Sequence, residues 1–419
     1  MKKTISVLAL ASVFAAGSAC ASGYRIPEQS VDSTSKAGAN ISSAQHADAT
    51  YYNPANMSWV DNAWQVEADL NYIHLSSIKY TDARTSTYDG SSKEENFLAP
   101  TIFLVSPDFN NFRFGFSITE PFGLAKRWDD TFPKTSAKKF ELQVYDINPT
   151  VSYKINNIFS VAGGIRMLYS TATAASDGRT SGAPFGAQTF SRFLEGDATS
   201  WGYNLAVSAR PDNKSNISVT YRSNVDIDLD GNSALRTSLP VPSSSVNTKG
   251  HLTVPAPAVL AVSGAYTFFD KLTVELTWDR TFWSRLENLD FNYDVNVTNP
   301  LLKYAFDDPK AKYWKDSSAY RLGLTYKATD IVTLMAGFAY DETPVPEHYL
   351  GFELPDSNAY LFSLGARFKV TPKMDLGLGV LYDLKTERTV NDPANTSGIN
   401  GKFTDASAFL VSAGLTYKF

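Results

Sequence analysis

One cysteine, four histidines and five methionines among 419 residues leave little material for thiol or imidazole chemistry. The lone Cys20 excludes a disulfide framework and a Cys-rich metal site. His46, His74, His251 and His348 are too scattered for metal-ligand spacing. No run reaches the roughly 20 apolar residues of a spanning helix, which excludes a helical membrane protein. No nucleophile elbow and no Gly-rich phosphate loop occurs, so no catalytic residue, metal or cofactor is expected. A basic excess is also missing. The formal net charge of −5 argues against a nucleic-acid partner. Disorder is excluded from the other side, because 26 Phe, 22 Tyr and many β-branched residues accompany modest charge. What remains to be explained is a slightly negative mean hydropathy, −0.21, in a chain that is 13% aromatic.

The first residues read as an address. Lys2 and Lys3 precede an apolar stretch from Ile5 to Ala16, and Ala19-Cys20-Ala21 supplies a small-residue cleavage site. Residues 1–21 are therefore expected to be a secretory signal peptide, whose removal takes the formal charge from −5 to −7. A lipoprotein reading would cut before Cys20, but Gly17 stands where such a site prefers a bulky apolar residue. Cut after Ala21, the exported chain has no cysteine, which suits passage through an oxidising periplasm.

Residues 22–60, rich in Ala, Ser, Asn and Gly, show no alternation and have room for one or two short helices. After Asp61 apolar and polar residues alternate with period two. Ile217, Val219, Tyr221, Val225, Ile227 and Leu229 oppose Ser218, Thr220, Arg222, Asn224, Asp226 and Asp228. Met374, Leu376, Leu378 and Val380 oppose Asp375, Gly377 and Gly379, and the segment Phe409–Phe419 repeats the pattern. Fourteen such segments are counted over residues 61–419. Short connections alternate with long ones near 81–96, 122–138, 175–196, 231–250, 284–316, 342–358 and 386–403. An even number of amphipathic strands with aromatics at their ends predicts an all-β, 14-stranded antiparallel transmembrane barrel of the bacterial outer membrane. The terminal Tyr417-Lys418-Phe419 looks like the signal read by the barrel-assembly machinery, with Phe419 as the contact.

At this point the sequence resembles the FadL/TodX family of outer-membrane transporters of long-chain fatty acids and other hydrophobic compounds. The likeness rests on Ser22-Gly23-Tyr24, Asn53-Pro54-Ala55, Phe114–Thr119 leading to Phe122-Gly123-Leu124-Ala125, Tyr221-Arg222-Ser223, Ala319-Tyr320-Arg321 and Asp341–Pro346, in that order. It implies a monomeric barrel whose lumen is closed by residues 22–60 as a small, partly helical plug, surrounded by membrane lipid and lipopolysaccharide. Hydrophobic substrates would be captured by outer loops, passed to an inner pocket at the plug, and released sideways at a kink in the third strand, here within Phe112–Phe122. Long-chain fatty acid is the default substrate by resemblance, with aromatic hydrocarbon as the close alternative. A surface adhesin or immunogenic structural barrel is the rival from another class.

Two loops carry the residues for capture. Phe122, Leu124, Trp128 and Phe132 interleave with Lys126 and Arg127, and Phe185, Phe190 and Phe193 stand in the loop after strand five. Apolar surface of that extent marks binding. The 284–316 segment has the length and apolar content of a lid. Lys315, Arg321 and Arg166 are the candidates for an inner pocket, the first two by resemblance. Lumenal arginines more often pair with lumenal carboxylates, here Asp226, Asp228, Asp341 and Asp375. Asn53, Pro54 and Ala55 are expected to fix the plug's exit into the first strand and to act in gating.

Overall fold

A computed structural model describes residues 23–241 and 243–419. The expected signal peptide and its cleavage site lie outside the described residues. Fourteen antiparallel strands form the wall: β1 (Gln65–Leu75), β2 (Glu95–Val105), β3 (Phe112–Arg127), β4 (Lys139–Lys154), β5 (Phe159–Thr180), β6 (Gln188–Ala209), β7 (Ser215–Arg222 and Val225–Thr237), β8 (Ser245–Ala256 and Val259–Phe268), β9 (Leu272–Thr281), β10 (Ser317–Lys327), β11 (Val332–Asp341), β12 (Ala359–Thr371), β13 (Met374–Lys385) and β14 (Ser407–Lys418). β1 pairs with β14 from Gln65↔Lys418 to Leu75↔Ala408, and with β2 on its other side, so the sheet closes on itself as a barrel.

The alternation works as physical chemistry requires of a wall between lipid and a polar lumen. Leu70, Tyr72, Leu276, Leu364 and Leu378 point outward and are exposed, while Gln65, Glu67, Asn71, Ser412 and Thr416 are buried inside. Two connections expected as long loops, 175–196 and 231–250, are largely strand. β5 and β6 run for 22 residues each, roughly 70 Å at the usual rise, far beyond an apolar band of about 25 Å. The extensions carry small and polar residues such as Ala172, Thr173 and Ala174, whose weak contrast hides the alternation.

In two of these long strands the facing reverses partway. Below the break in β7, Ile217 and Val219 face out and Ser218 faces in. Above it, Val225, Ile227 and Leu229 are buried inside. β8 breaks at the same level, between Ala256 and Val259, where Pro255 and Pro257 interrupt the strand. This corrects the expectation that Asp226 and Asp228 are lumenal. The irregular Ser223-Asn224 step shifts the phase by one, which sends every later side chain to the opposite face. Asp226 then pairs at 3.0 Å with exposed Arg285, and Asp228 accepts from exposed Thr253 at 2.7 Å. Asp341 does pair inside, with Arg321 at 3.2 Å.

The N-terminal segment fills the lumen as a plug built on α1 (Val31–Ser35), α2 (Ala49–Tyr52) and a 3-10 turn (Pro54–Trp59). Ser30 caps α1 by accepting from Ser33 N. Inward glycines of the wall let the plug backbone approach closely. A Cβ on Gly337 would sit 2.2 Å from the Lys36 carbonyl carbon, and one on Gly377 would sit 2.8 Å from Val31. Polar clamps complete the docking. The Glu275 carboxylate accepts from Ile41 N, Ser42 N and Ser43 N at 2.7, 2.9 and 2.9 Å. Arg367 pairs with Asp32 of the plug and Glu67 of the wall.

Candidate functional site

Above the plug the inverted strands enclose an apolar cavity. Its walls are Leu124 of β3, Leu142 of β4, Ala172 and Ala174 of β5, Leu229 of β7, and Leu252 and Val254 of β8. Its roof and far side are Leu286, Leu289 and Trp314 of the 284–316 segment, which does cover the mouth, together with Leu354. Among the described residues the only cation on its lining is Lys312, which is paired to Glu353. Such a cavity takes an apolar body and offers one paired charge for orientation.

Outward, the cavity shares Ala172, Ala174, Leu229 and Leu252 with a shallower groove that also touches Leu194, Phe291 and His251. Gly196, Gly231 and Gly250, which pair side by side across β6, β7 and β8, lie in that groove. His251 holds the covering segment there. Its Nδ1 lies 2.5 Å from Asp230 and its Nε2 lies 2.9 Å from Asp294. The hydrogen bonds to Asp230 and Asp294 raise its pKa.

Inward, the floor is Tyr24. Its ring packs edge-on against Trp283 with centroids 4.5 Å apart and lies 6.3 Å from Phe122, and its hydroxyl donates to Pro255 O at 2.5 Å. Burial pushes the Tyr24 phenol well above its ordinary pKa, so it stays a neutral donor. Beneath it lies a second cavity lined by Arg25, Tyr51, Pro121, Phe122, Arg166 and Arg222. Arg166 and Arg222 both bind Asp146, at 2.8 and 2.7 Å, so two cations share one carboxylate. Arg25 pairs with Asp279 at 2.5 Å.

The wall beside this lower cavity is interrupted. Pairing between β2 and β3 ends at Ile102↔Ile118, and the β3–β4 register slips between Thr119 and Phe122. Above that point the plug supplies what β2 does not. Ile26 N donates to Pro121 O at 2.8 Å, Gly123 N to Tyr24 O at 2.9 Å, and Gln29 bonds both the N–H and the carbonyl of Glu120. The kink implied within Phe112–Phe122 is thus centred on Glu120-Pro121. The plug's own titratable groups are perturbed by burial: Glu28 is raised to about 7 against the lowering effect of Arg321, and His46 is pushed down to about 3.

The expected capture residues do not form one groove. Phe122 and Leu124 join the central apolar core, while Lys126 is fully buried beside them and Arg127 makes a bidentate pair with Glu95. Trp128 and Phe132 pack the outer loops together with Tyr80 and Phe352, the Trp128 indole donating to Phe352 O at 2.9 Å. Phe185 and Phe190 pack with Phe306 and Leu301 in a separate cluster, and Phe193 faces the exterior. Of the inner-pocket candidates, Arg166 lines the lower cavity. Arg321 is buried against Asp279 and Asp341 as a plug clamp, and Lys315 is exposed. Asn53 donates to Ile41 O, Ser208 Oγ and Ser218 Oγ at 2.9, 2.9 and 3.0 Å, Pro54 opens the 3-10 turn, and Ala55 O accepts from Ser160. Lys312, Glu353 and Trp283 escaped sequence reasoning, whereas Trp314 belongs to the apolar residues of the segment expected as a lid. Two signals pointed toward the pocket: the Pro255–Pro257 interruption, and Tyr24 in the N-terminal motif.

Comparison with known proteins places this geometry. The model of a family described as outer membrane protein transport protein (OMPP1/FadL/TodX) matches residues 12–419. Outer membrane protein P1 of Haemophilus influenzae is 27% identical over 465 residues, covering 99% of each chain. The long-chain fatty acid transport protein of Salmonella typhi is 25% identical over 447 residues, covering 99% of this chain and 98% of that one. Among solved structures, a FadL homologue of Pseudomonas aeruginosa superposes with a TM-score of 0.81 at 20% identity, covering 95% of this chain and 100% of that one. The toluene transporter TbuX of Ralstonia pickettii gives 0.70 at 15% identity, covering 93% and 98%.

Proposed function

Because the chain belongs to the OMPP1/FadL/TodX family of outer-membrane transport proteins, we propose that it imports long-chain fatty acids by energy-independent diffusion through the two cavities at Tyr24. The family transports hydrophobic compounds, and the chain is an outer-membrane transporter and not an enzyme. The observation that carries the finer reading is the series of outer groove, apolar cavity, lower cavity and β3 interruption, with Tyr24 as the partition between the two cavities. A lipophile entering beside Phe291 exchanges water for Leu194, Leu229 and Leu252, and gains about 25 cal/mol for each Å² buried. Movement of Tyr24 would join the cavities. A carboxylate head then meets Arg166 and Arg222, whose shared Asp146 leaves one positive charge uncompensated between them. Withdrawal of Tyr24–Ile26 from β3 would open the wall toward lipid at Pro121, and the tail would leave sideways. In this reading the barrel works as a monomer among outer-membrane lipid and lipopolysaccharide, with Asn53, Pro54 and Ala55 anchoring the plug while its N-terminal end moves.

One observation favours a second substrate class. Lys312, the cation on the lining of the apolar cavity, is already paired with Glu353, which makes that cavity suited to an uncharged aromatic hydrocarbon as well. Mass spectrometry of lipophiles that co-purify with the folded protein separates the two, and uptake of labelled oleate by a deletion strain tests the first. Unchanged oleate uptake in that strain would overturn the fatty-acid reading.

A further inference from the structure

At the opposite end of the barrel from the apolar cavity, the plug and the short turns after β4, β6 and β8 bound a polar cavity of about 490 Å³. Its lining is dominated by donors. Arg210 stands at its wall with its guanidinium over the Trp59 ring, 4.8 Å from the centroid. The Nε of Arg210 and the Oγ of Ser42 are both buried without a hydrogen-bond partner. Lys154, half-buried, adds a second cation. Among the described residues neither Arg210 nor Lys154 has a carboxylate within ion-pair distance.

The acidic groups nearby are committed elsewhere. Asp212 accepts from the backbone N–H of Lys214 and of Ser215, at 2.8 and 2.7 Å. Asp270 neutralises Lys214 at 3.0 Å. Glu275, behind the Ser42-Ser43 loop, is consumed by three backbone N–H groups of the plug. Burial with no acid opposite it pushes the Arg210 guanidinium down to about 10. Arg210 is half-buried, and a cation partly withdrawn from water without a counter-charge is unfavourable, so structures usually compensate it.

We propose that this periplasmic cavity binds a phosphate-type oxyanion, held by Arg210, Lys154 and the Ser42 hydroxyl, with Trp59 against its organic substituent. Two cations and a hydroxyl match the charge and the several acceptor oxygens of a phosphate better than those of a carboxylate. The guanidinium fork suits adjacent phosphoryl oxygens, and the ammonium supplies a point charge. The group can arrive on an inner-leaflet phospholipid or on a soluble periplasmic phosphate compound.

The test uses the full-length protein in maltoside micelles and isothermal titration with glycerol 3-phosphate, with dihexanoyl phosphatidylglycerol, and with acetate at matched ionic strength. Saturable binding of a phosphate but not of acetate is expected. Arg210→Gln should weaken it by about tenfold or more, the loss of one charge-assisted hydrogen bond. Lys154→Gln should weaken it less, and Lys303→Gln in the distant lid should leave it unchanged. Binding of glycerol 3-phosphate identifies a soluble source, and binding of the lipid alone identifies the leaflet; both support the site. Absence of saturable binding, equal binding of acetate, or full binding by Arg210→Gln overturns it. If Arg210→Gln loses the barrel's heat-dependent gel migration, Lys154→Gln, at a partly exposed position, decides the question.

Discussion

At the residue scale, the proposed transport path turns on Tyr24. This residue is held by one hydrogen bond to Pro255 O and by edge contacts with Trp283 and Phe122. Tyr24→Ala removes the partition between the two cavities and should raise the initial rate of oleate uptake severalfold in whole cells. An unchanged rate would mean that the side chain is packing and not a gate. The Lys312–Glu353 pair gives a test of substrate class. Glu353→Gln frees the lysine, so carboxylate ligands should bind about tenfold more tightly, while toluene binding should be unaltered; both are read by competition with a fluorescent lipophile. His251 supplies a pH dependence. Its pKa is raised by Asp230 and Asp294, so the protonated ring donates to both and holds the covering segment. Because the folded value exceeds the unfolded one, this contribution is complete below the ordinary histidine range and is lost as pH rises through the raised value. Amide exchange in residues 288–294 should therefore accelerate with pH beyond the intrinsic trend, and His251→Gln should abolish that excess.

At the scale of elements, the breaks in the strands do the work. Glu120-Pro121 leaves β3 unpaired with β2 above Ile118, and deleting Pro121 should restore regular pairing and close the side of the barrel. Oleate uptake should then fall sharply while heat-dependent migration in gels stays as in the parent. The legibility of the sequence divides at the same kind of place. Every one of the fourteen staves was legible from period-two alternation, because lipid on one side and polar lumen on the other impose strong contrast: Leu376 and Leu378 against Gly377 and Gly379 is an example. The plug was legible by its lack of alternation. The upper parts of β5 and β6 were not, since Ala172, Thr173 and Ala174 offer little contrast. Nor was the facing of Asp226 and Leu229. Period two runs on through Ser223 and Asn224 in the sequence while the backbone slips by one residue. A pocket assembled from five strands, a lid and an N-terminal tyrosine has no one-dimensional signature, so Lys312 and Glu353 could not be found, whereas Arg166 was reachable from its inward parity in β5.

For the whole molecule, the plug determines what kind of conductor the barrel is. It is clamped by Glu275, Arg321 and Arg367 and seated against wall glycines. The intact protein should show no large steady conductance in planar bilayers, whereas removing residues 24–60 should give one typical of an open pore. Glu275→Gln should stop short of that, loosening residues 41–43 at a cost of about 1–3 kcal/mol, detectable as faster exchange of those three amides.

The reversal of facing in β7 and β8 also fixes the barrel vertically. Below it, Ile217 and Val219 meet acyl chains; just above it, Asp226, Asp228 and His251 occupy the same outer surface. A barrel of uniform facing could ride up or down in its bilayer by a residue or two at little expense. This one would drag charged groups into hydrocarbon if it sank, so the bilayer must deform to suit the protein. In the proposed route the interruption at Pro121 is thereby held at one depth in the leaflet, and a lipophile leaving there would be delivered at that depth whatever the thickness of the surrounding membrane.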